Sequence, residues 1–400
     1  MKLTPLSRRL SLMARSPGTD WTVLAENIPE WPVVPQVPVL RWEDGDHAYG
    51  PSQGAPELLE TLAGRCRRQG ADMGTESLMV TNGGFDALAL ITRFLRTQNA
   101  QRVVSVGPVL TSVAELFRSI GLELIATDWN TFLIGEQWRL LDLGAADVLY
   151  INTPHNPIGA CLTEDMARAL LADRSRRGFS VILDLVYDSF CFDEEYAASP
   201  LAWVDDWQGV FAFNSFSKNF GAPGLRVGWL MAEPSVVEEL TGRFEKERIA
   251  VSSTAQLRAA ALCAIGNEPL VDAVRHGRKL VLDWATARRI DVTAGHGGTQ
   301  VWVDLQVSDA ELFADRLMAE EKVVITTGLN YYPAYPRHIR LPTGISAARL
   351  AAGLRSIDKV RCDLQMELGV RPLWEKDQWQ SPMHRYSIFS ESDSGLQISR

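Results

Sequence analysis

Lys218 lies in a string that could hold and activate a reactive amine, S-F-S-K-N-F-G-A-P-G-L-R-V-G, residues 215 to 228. An apolar, strand-like approach from residue 212 leads into it, hydroxyls flank it, and a glycine-rich turn follows before Arg226. A lysine becomes a Schiff-base nucleophile when burial and neighbouring positive charge lower its pKa. Ser215, Ser217 and Arg226 are residue types that hold phosphate, the guanidinium through a planar two-pronged contact. The pattern points to a cofactor-anchoring lysine beside an anion site. Serine next to lysine is common in surface turns, so the specificity lies in the whole string.

Three further segments could contribute to the same chemistry. Residues 78 to 90 pass from a short strand through Gly83, Gly84 and Phe85 into a helical pattern. Free N–H groups at a helix start, approached closely over glycine, suit an anion. Asn156 opens an N-P-x-G turn behind the apolar run 147 to 153. Asp184 ends the run V-I-L-D, 28 residues after Asn156, and Tyr187 follows it. A carboxylate at the end of a buried strand is costly without a cationic partner, which a protonated pyridine would provide. Taken singly, the asparagine reads equally as a common turn, and the aspartate as a helix cap or salt bridge.

Together these segments resemble the aspartate aminotransferase family, the fold type I enzymes that use pyridoxal 5'-phosphate (PLP). The resemblance spans roughly residues 20 to 365, with the motifs in the family's order. It implies that Lys218 carries PLP as a Schiff base and then moves the substrate's Cα proton. Asp184 would pair with the pyridine nitrogen, and Asn156 and Tyr187 with the ring oxygen. Gly83, Gly84 and Phe85 would form the phosphate cup with Ser215, Ser217 and Arg226. Arg340, in H-I-R-L, matches the arginine that clamps the α-carboxylate of an amino-acid substrate, with Asn156 also at the substrate. Tyr49, in Y-G-P-S-Q-G, matches a tyrosine that crosses to the partner's cofactor phosphate, which implies a homodimer with shared active sites. The N-terminal arm approaches the active site in this family, so Trp31 is either a substrate lid or an aromatic packed on the domain surface.

Leu110 is the departure. The segment V-S-V-G-P-V-L, residues 104 to 110, aligns with a strand on which the family places an aromatic over the PLP ring. Leucine covers a ring but offers no π-face. The N-P-x-G-A-C segment and the short N-terminal arm also resemble, more loosely, capreomycidine synthase-like enzymes. Transamination is the first reading, and the alternative is a PLP-dependent lyase, cyclase or oxidase of a modified amino acid in secondary metabolism. A PLP-binding regulator domain fits poorly, because the stretch before Tyr49 is short and broken by proline between residues 29 and 38.

The elements that must position these residues follow from the pattern. Apolar runs at 103–107, 123–127, 147–153, 179–184, 209–216 and 227–232 alternate with helical or turn segments. Continuous apolar strands of this kind build a mainly parallel sheet covered on both faces, with ligands beyond its carboxyl ends. The expected class is α/β, with a large domain holding a mainly parallel seven-stranded sheet between helices and a smaller α+β domain from the two chain ends. Boundaries are expected as an N-terminal arm 1–40, a PLP-binding domain 41–272, a small domain 273–370 and an extension 371–400. Residues 257 to 290 have the length of one helix joining the two domains. The extension carries Trp374, Trp379, Tyr386 and Phe389, and reads either as a tail packed across a subunit or as a partly disordered end.

Composition bounds the rest. A 400-residue chain with 46% hydrophobic and 22% charged residues supports large cores, and a net charge of -9 disfavours nucleic acid or anionic membrane as partner. Five scattered cysteines without metal-ligand spacing fit reduced thiols in a cytoplasm. Arg8, Arg9 and Arg15 precede the first acid, Asp20, in a start that could imitate a transit peptide but fits the family's N-terminal helix better. No apolar run reaches membrane-spanning length.

Overall fold

The computed structural model describes residues 4–41, 45, 47–128, 141–193, 196 and 199–367, so the expected extension from 371 onward lies outside the described residues. In chain order the strands are β1 (Thr22–Leu24), β2 (Leu78–Thr81), β3 (Arg102–Gly107), β4 (Val109–Leu110), β5 (Glu123–Asp128), β6 (Asp147–Asn152) and β7 (Ser180–Asp184). They continue as β8 (Val210–Ser215), β9 (Gly228–Met231), β10 (Asp291–Thr293), β11 (Gln300–Asp304), β12 (Val323–Gly328), β13 (Tyr331–Tyr332) and β14 (Tyr335–Pro342).

Seven strands form the large sheet in the order β2-β9-β8-β7-β6-β3-β5. Only β9 runs antiparallel to its neighbours. Every residue of β6 and β8 is buried, as covering both faces requires. The register brings Asn152, Asp184 and Phe213 side by side at the carboxyl ends of β6, β7 and β8. The loops that follow carry Asn156, Tyr187 and Lys218.

A second sheet, β1-β12-β14-β11-β10, has a core of its own containing Leu24, Trp284, Val301, Phe313, Ile325 and Leu354. β1 enters it parallel to β12, so both ends of the described chain contribute to this smaller domain. A two-stranded ribbon joins the parts, with Tyr331 of β13 opposite Leu110 of β4.

The expected single helix over 257–290 is two. Helix Ser253–Ile265 ends at Gly266, whose φ of +85° favours glycine, and helix Glu268–Ala287 starts with proline in its first turn. The second helix lies against the smaller domain, because Gly277 lets the Thr343 carbonyl approach so closely that a Cβ would stand 1.9 Å from it.

No helix among the described residues is long and apolar enough to cross a membrane.

Candidate active site

Lys218 is presented by a single helical turn, Phe216–Asn219, directly after β8. Ser215 caps the turn by accepting from the Ser217 N–H at 3.1 Å, and its Oγ donates to Ser217 Oγ at 3.0 Å. Asn219 fixes the far side. It is fully buried, accepts from the Ser189 N–H at 3.1 Å and donates to Asp188 and Asn214, each at 2.7 Å. The turn is therefore rigid, and Lys218 opens from it into a cavity of about 320 Å³. Burial, and then the Arg340 guanidinium, lower its amine to about 7, with Glu26 acting in the opposite direction.

Asp184 lies across this cavity and is buried. Burial pushes its carboxyl up to about 7, against the stabilising bonds from the Tyr150 hydroxyl at 2.5 Å and the Val186 N–H at 3.2 Å. It forms no ion pair among the described residues. Asn152 braces the same corner, donating to the Asp184 carbonyl at 3.1 Å and accepting from the Asn156 N–H at 2.7 Å. A buried acid with a neutral donor and no cation is suited to a cationic ring placed against it.

Asn156 connects to the smaller domain. Its Oδ1 accepts from the Tyr331 hydroxyl at 2.9 Å and from Arg340 Nη1 at 3.5 Å. Arg340 is buried on β14 and donates to the Tyr331 hydroxyl at 3.1 Å and the Ala25 carbonyl at 2.6 Å. No described carboxylate pairs with it, and its Nε has no partner. A buried guanidinium without a counter-ion is a site for a carboxylate. Tyr187 also lines the cavity, and its hydroxyl accepts from Asn27 Nδ2 at 3.2 Å. Thr299 donates to Asn27 at 2.5 Å and Gln300 to the His155 carbonyl at 3.2 Å, so a buried polar network ties the N-terminal arm, β11 and the loop after β6 together.

The opposite end of the cavity is built for an anion. Gly83, at φ +88°, caps helix Gly84–Thr97, and a Cβ there would meet Arg226 Nη2 at 2.6 Å. Arg226 is itself left-handed at φ +53° and donates to the Asn82 carbonyl at 3.2 Å, which holds its guanidinium over the helix start. The first N–H groups of that helix have no intrahelical acceptor, and the Ser215 and Ser217 hydroxyls lie at the same end.

Of the residues singled out in the sequence, Lys218, Asp184, Asn156 and Tyr187 line the cavity, as do Gly84, Phe85, Leu110, Ser215, Ser217 and Arg226. Gly83 and Arg340 stand directly behind that lining. Tyr49 does not join them; it is 83% exposed. Trp31 is fixed rather than free, its indole donating to the Phe220 carbonyl at 2.8 Å behind the Lys218 turn. Sequence reasoning passed over Tyr150, Tyr331, Asn27 and Asn152. Tyr150 could have been found as the one hydroxyl-bearing aromatic in the run 147 to 153, two residues from Asn152.

Residues 20–357 match the family model for aminotransferase class I and II. The chain belongs to that family. The 3-methylarginine biosynthesis aminotransferase ArgM of Streptomyces arginensis is 52% identical over 90% of this chain and 97% of that protein. The L-aspartate:5-guanidino-3-methyl-2-oxopentanoate transaminase of Pseudomonas syringae pv. syringae is 34% identical over 86% of this chain and 90% of its own. Among solved structures, the aspartate aminotransferase of Thermotoga maritima superposes with a TM-score of 0.76 at 22% identity, covering 90% of this chain and 97% of that one, which is a likeness of fold. This aminotransferase thus brings together an amine lowered to about 7, an uncompensated buried carboxyl and an uncompensated buried guanidinium around one cavity.

Proposed function

We propose that this aminotransferase is PLP-dependent and transfers an amino group to or from a guanidino amino acid of the arginine type, in specialised metabolism. The observation that carries the cofactor assignment is the pairing of Lys218 with Asp184: a near-neutral amine and a cation-seeking carboxyl face one cavity whose far end gathers Arg226, Ser215, Ser217 and a glycine-opened helix start. A phosphate at one end and a protonatable ring nitrogen at the other fit this donor set. The substrate class comes from the relatives, whose names specify 3-methylarginine biosynthesis and a guanidino oxo acid.

When bound, PLP supplies an electron sink for the carbanion left as Cα loses its proton. Lys218 Nζ takes that proton as the neutral amine and returns it in the second half of the exchange. Asp184, held by Tyr150, would pair with the ring nitrogen and favour its protonated form. Asn156 and Tyr187 would hold the ring oxygen, Gly83, Gly84 and Phe85 would complete the phosphate cup with Ser215, Ser217 and Arg226, and Leu110 would pack against the ring. Arg340 orients the substrate through its α-carboxylate, with Asn156 beside it. Trp31 braces the wall behind the Lys218 turn, close to the substrate. Exposed Tyr49 is assigned to the cofactor phosphate of a second copy, which makes the enzyme a homodimer, and its site of action is the cytoplasm.

The test is incubation of the purified PLP-loaded protein with L-arginine, 3-methylarginine and L-aspartate, each with a 2-oxo acid acceptor, and mass spectrometry of the products. The 2-oxo acid of a guanidino substrate and the matching new amino acid are expected. Ammonia release or a cyclic product without amino transfer would overturn the reading.

A further inference from the structure

We propose that Glu26 is the specificity-determining residue for the substrate side chain: its carboxylate pairs with the guanidinium of the amino acid whose α-carboxylate Arg340 holds. The inference rests on the guanidino reading above and assigns it to a residue. Glu26 lies two residues beyond the end of β1, between two residues tied to the site. Ala25 offers its carbonyl to Arg340 Nη2 at 2.6 Å and to the Thr326 hydroxyl at 2.7 Å. Asn27 donates to the Tyr187 hydroxyl at 3.2 Å. Ala25 and Asn27 are both 2% exposed, whereas Glu26 between them is exposed. With both neighbours anchored, Glu26 is left exposed one residue from the carbonyl that Arg340 bonds.

Glu26 makes no hydrogen bond or ion pair among the described residues, unlike Glu30 four residues on, which is paired with Arg349. Its charge nevertheless reaches the reaction centre, where it opposes the effects of burial and Arg340 on Lys218. The carboxylate that lines the cavity, Asp184, lies at the strand end and is bonded to Tyr150, whereas Glu26 stands outside that lining on the side of Arg340. A guanidino amino acid carries one negative and one positive group, and the Arg340–Glu26 pair presents their complements. Without Glu26, a guanidinium at this end would face the Arg340 guanidinium unaided. A dedicated acidic partner therefore discriminates by attraction and by relief of repulsion.

The experiment compares L-arginine with L-citrulline, its neutral near-isostere, on PLP-loaded wild type, Glu26→Gln and Glu26→Asp. The readouts are kcat and KM, together with the rise in Tm that each amino acid produces. Glu26→Gln is expected to reduce the arginine-over-citrulline preference in kcat/KM by about 10- to 100-fold, the range for losing a hydrogen bond to a charged group. Most of the change should fall on KM, the arginine-specific rise in Tm should shrink with it, and Glu26→Asp should restore part of the preference. An unchanged preference and unchanged rise in Tm in Glu26→Gln would overturn the role of Glu26 while leaving the guanidino reading intact. A wild type that accepts neither compound would overturn the guanidino reading, and the Glu26 assignment with it.

Discussion

The Tyr150 hydroxyl donates to Asp184 Oδ2 at 2.5 Å, from β6 to its neighbour β7. This bond opposes the burial that pushes the Asp184 carboxyl up to about 7. Tyr150→Phe should therefore raise that carboxyl further. The ionised form that can face a protonated ring then becomes scarcer at neutral pH. We expect kcat/KM to fall roughly tenfold at pH 7, the scale of one charge-assisted hydrogen bond, and the acid limb of the pH profile to move to higher pH. A lower kcat/KM with an unmoved limb would mean that Tyr150 only packs.

Without cofactor, the same carboxyl affects stability. Its folded pKa lies above the unfolded value, so its stabilising contribution is present below about 4 and is lost as pH rises toward about 7. Asp184→Asn removes this dependence. The Tm of cofactor-free wild type, compared with the variant from pH 4 to 7.5, should fall more steeply with rising pH. Parallel curves would count against the burial of an uncompensated charge.

Lys218 makes a kinetic signature available. Its amine is lowered to about 7, so the neutral nucleophile is already dominant at pH 8. The rate at which cofactor-free protein takes up PLP should rise between pH 6 and 7 and level off above about 8. An ordinary lysine would keep rising toward pH 10. Borohydride reduction and peptide mapping should then find the phosphopyridoxyl group on Lys218, and modification of a different lysine would sink the assignment.

Arg340 is buried, has only neutral hydrogen-bond partners among the described residues, and its Nε has none. Arg340→Lys keeps the charge but loses the planar two-pronged geometry and the bonds to Tyr331 and Ala25. Substrate affinity should drop about 10- to 100-fold, corresponding to roughly 1.5 to 3 kcal/mol, while PLP remains bound. Full affinity, or loss of the cofactor, would contradict the role.

The site could be read from the sequence where its parts are local and could not where they are distant. The Lys218 string and Asp184 each lie at a strand end within one short segment, so residue type and apolar context were enough to pick them out. Tyr331 meets Asn156 across 175 residues of chain, and only the folded β4–β13 ribbon creates that contact. Likewise Cys161 and Cys191, unremarkable in spacing, approach to 3.3 Å as free thiols because the loops after β6 and β7 run together. β1 has three residues and no periodic signal of its own; its pairing with Val323 to Ile325 makes it a strand. The break at Gly266 was legible, since a glycine followed within three residues by proline is a stop and restart signal.

Leu110 provides the last test, because a leucine at the cavity offers a ring no π-face. It lines the cavity, so it can cover a bound ring, but it supplies dispersion without aromatic stacking. Its backbone also pairs with Tyr331, and its side chain packs on a small cluster with Ile158, Ala160, Trp302 and Tyr331. Leu110→Tyr should slow PLP dissociation, by an amount corresponding to roughly 0.5 to 1.5 kcal/mol for an aromatic pair. The larger ring must also share space with Tyr331, whose hydroxyl positions Asn156 and meets Arg340. Overpacking that cluster carries a cost of about 1 to 3 kcal/mol, and it falls on the groups proposed above to hold the substrate. We therefore expect PLP retention to improve while kcat/KM for the amino-acid substrate falls. The two are measured side by side, by PLP dissociation and by turnover of wild type and variant. If turnover rises together with retention, the space beside Tyr331 is not used by the substrate, and Leu110 is a neutral replacement for an aromatic.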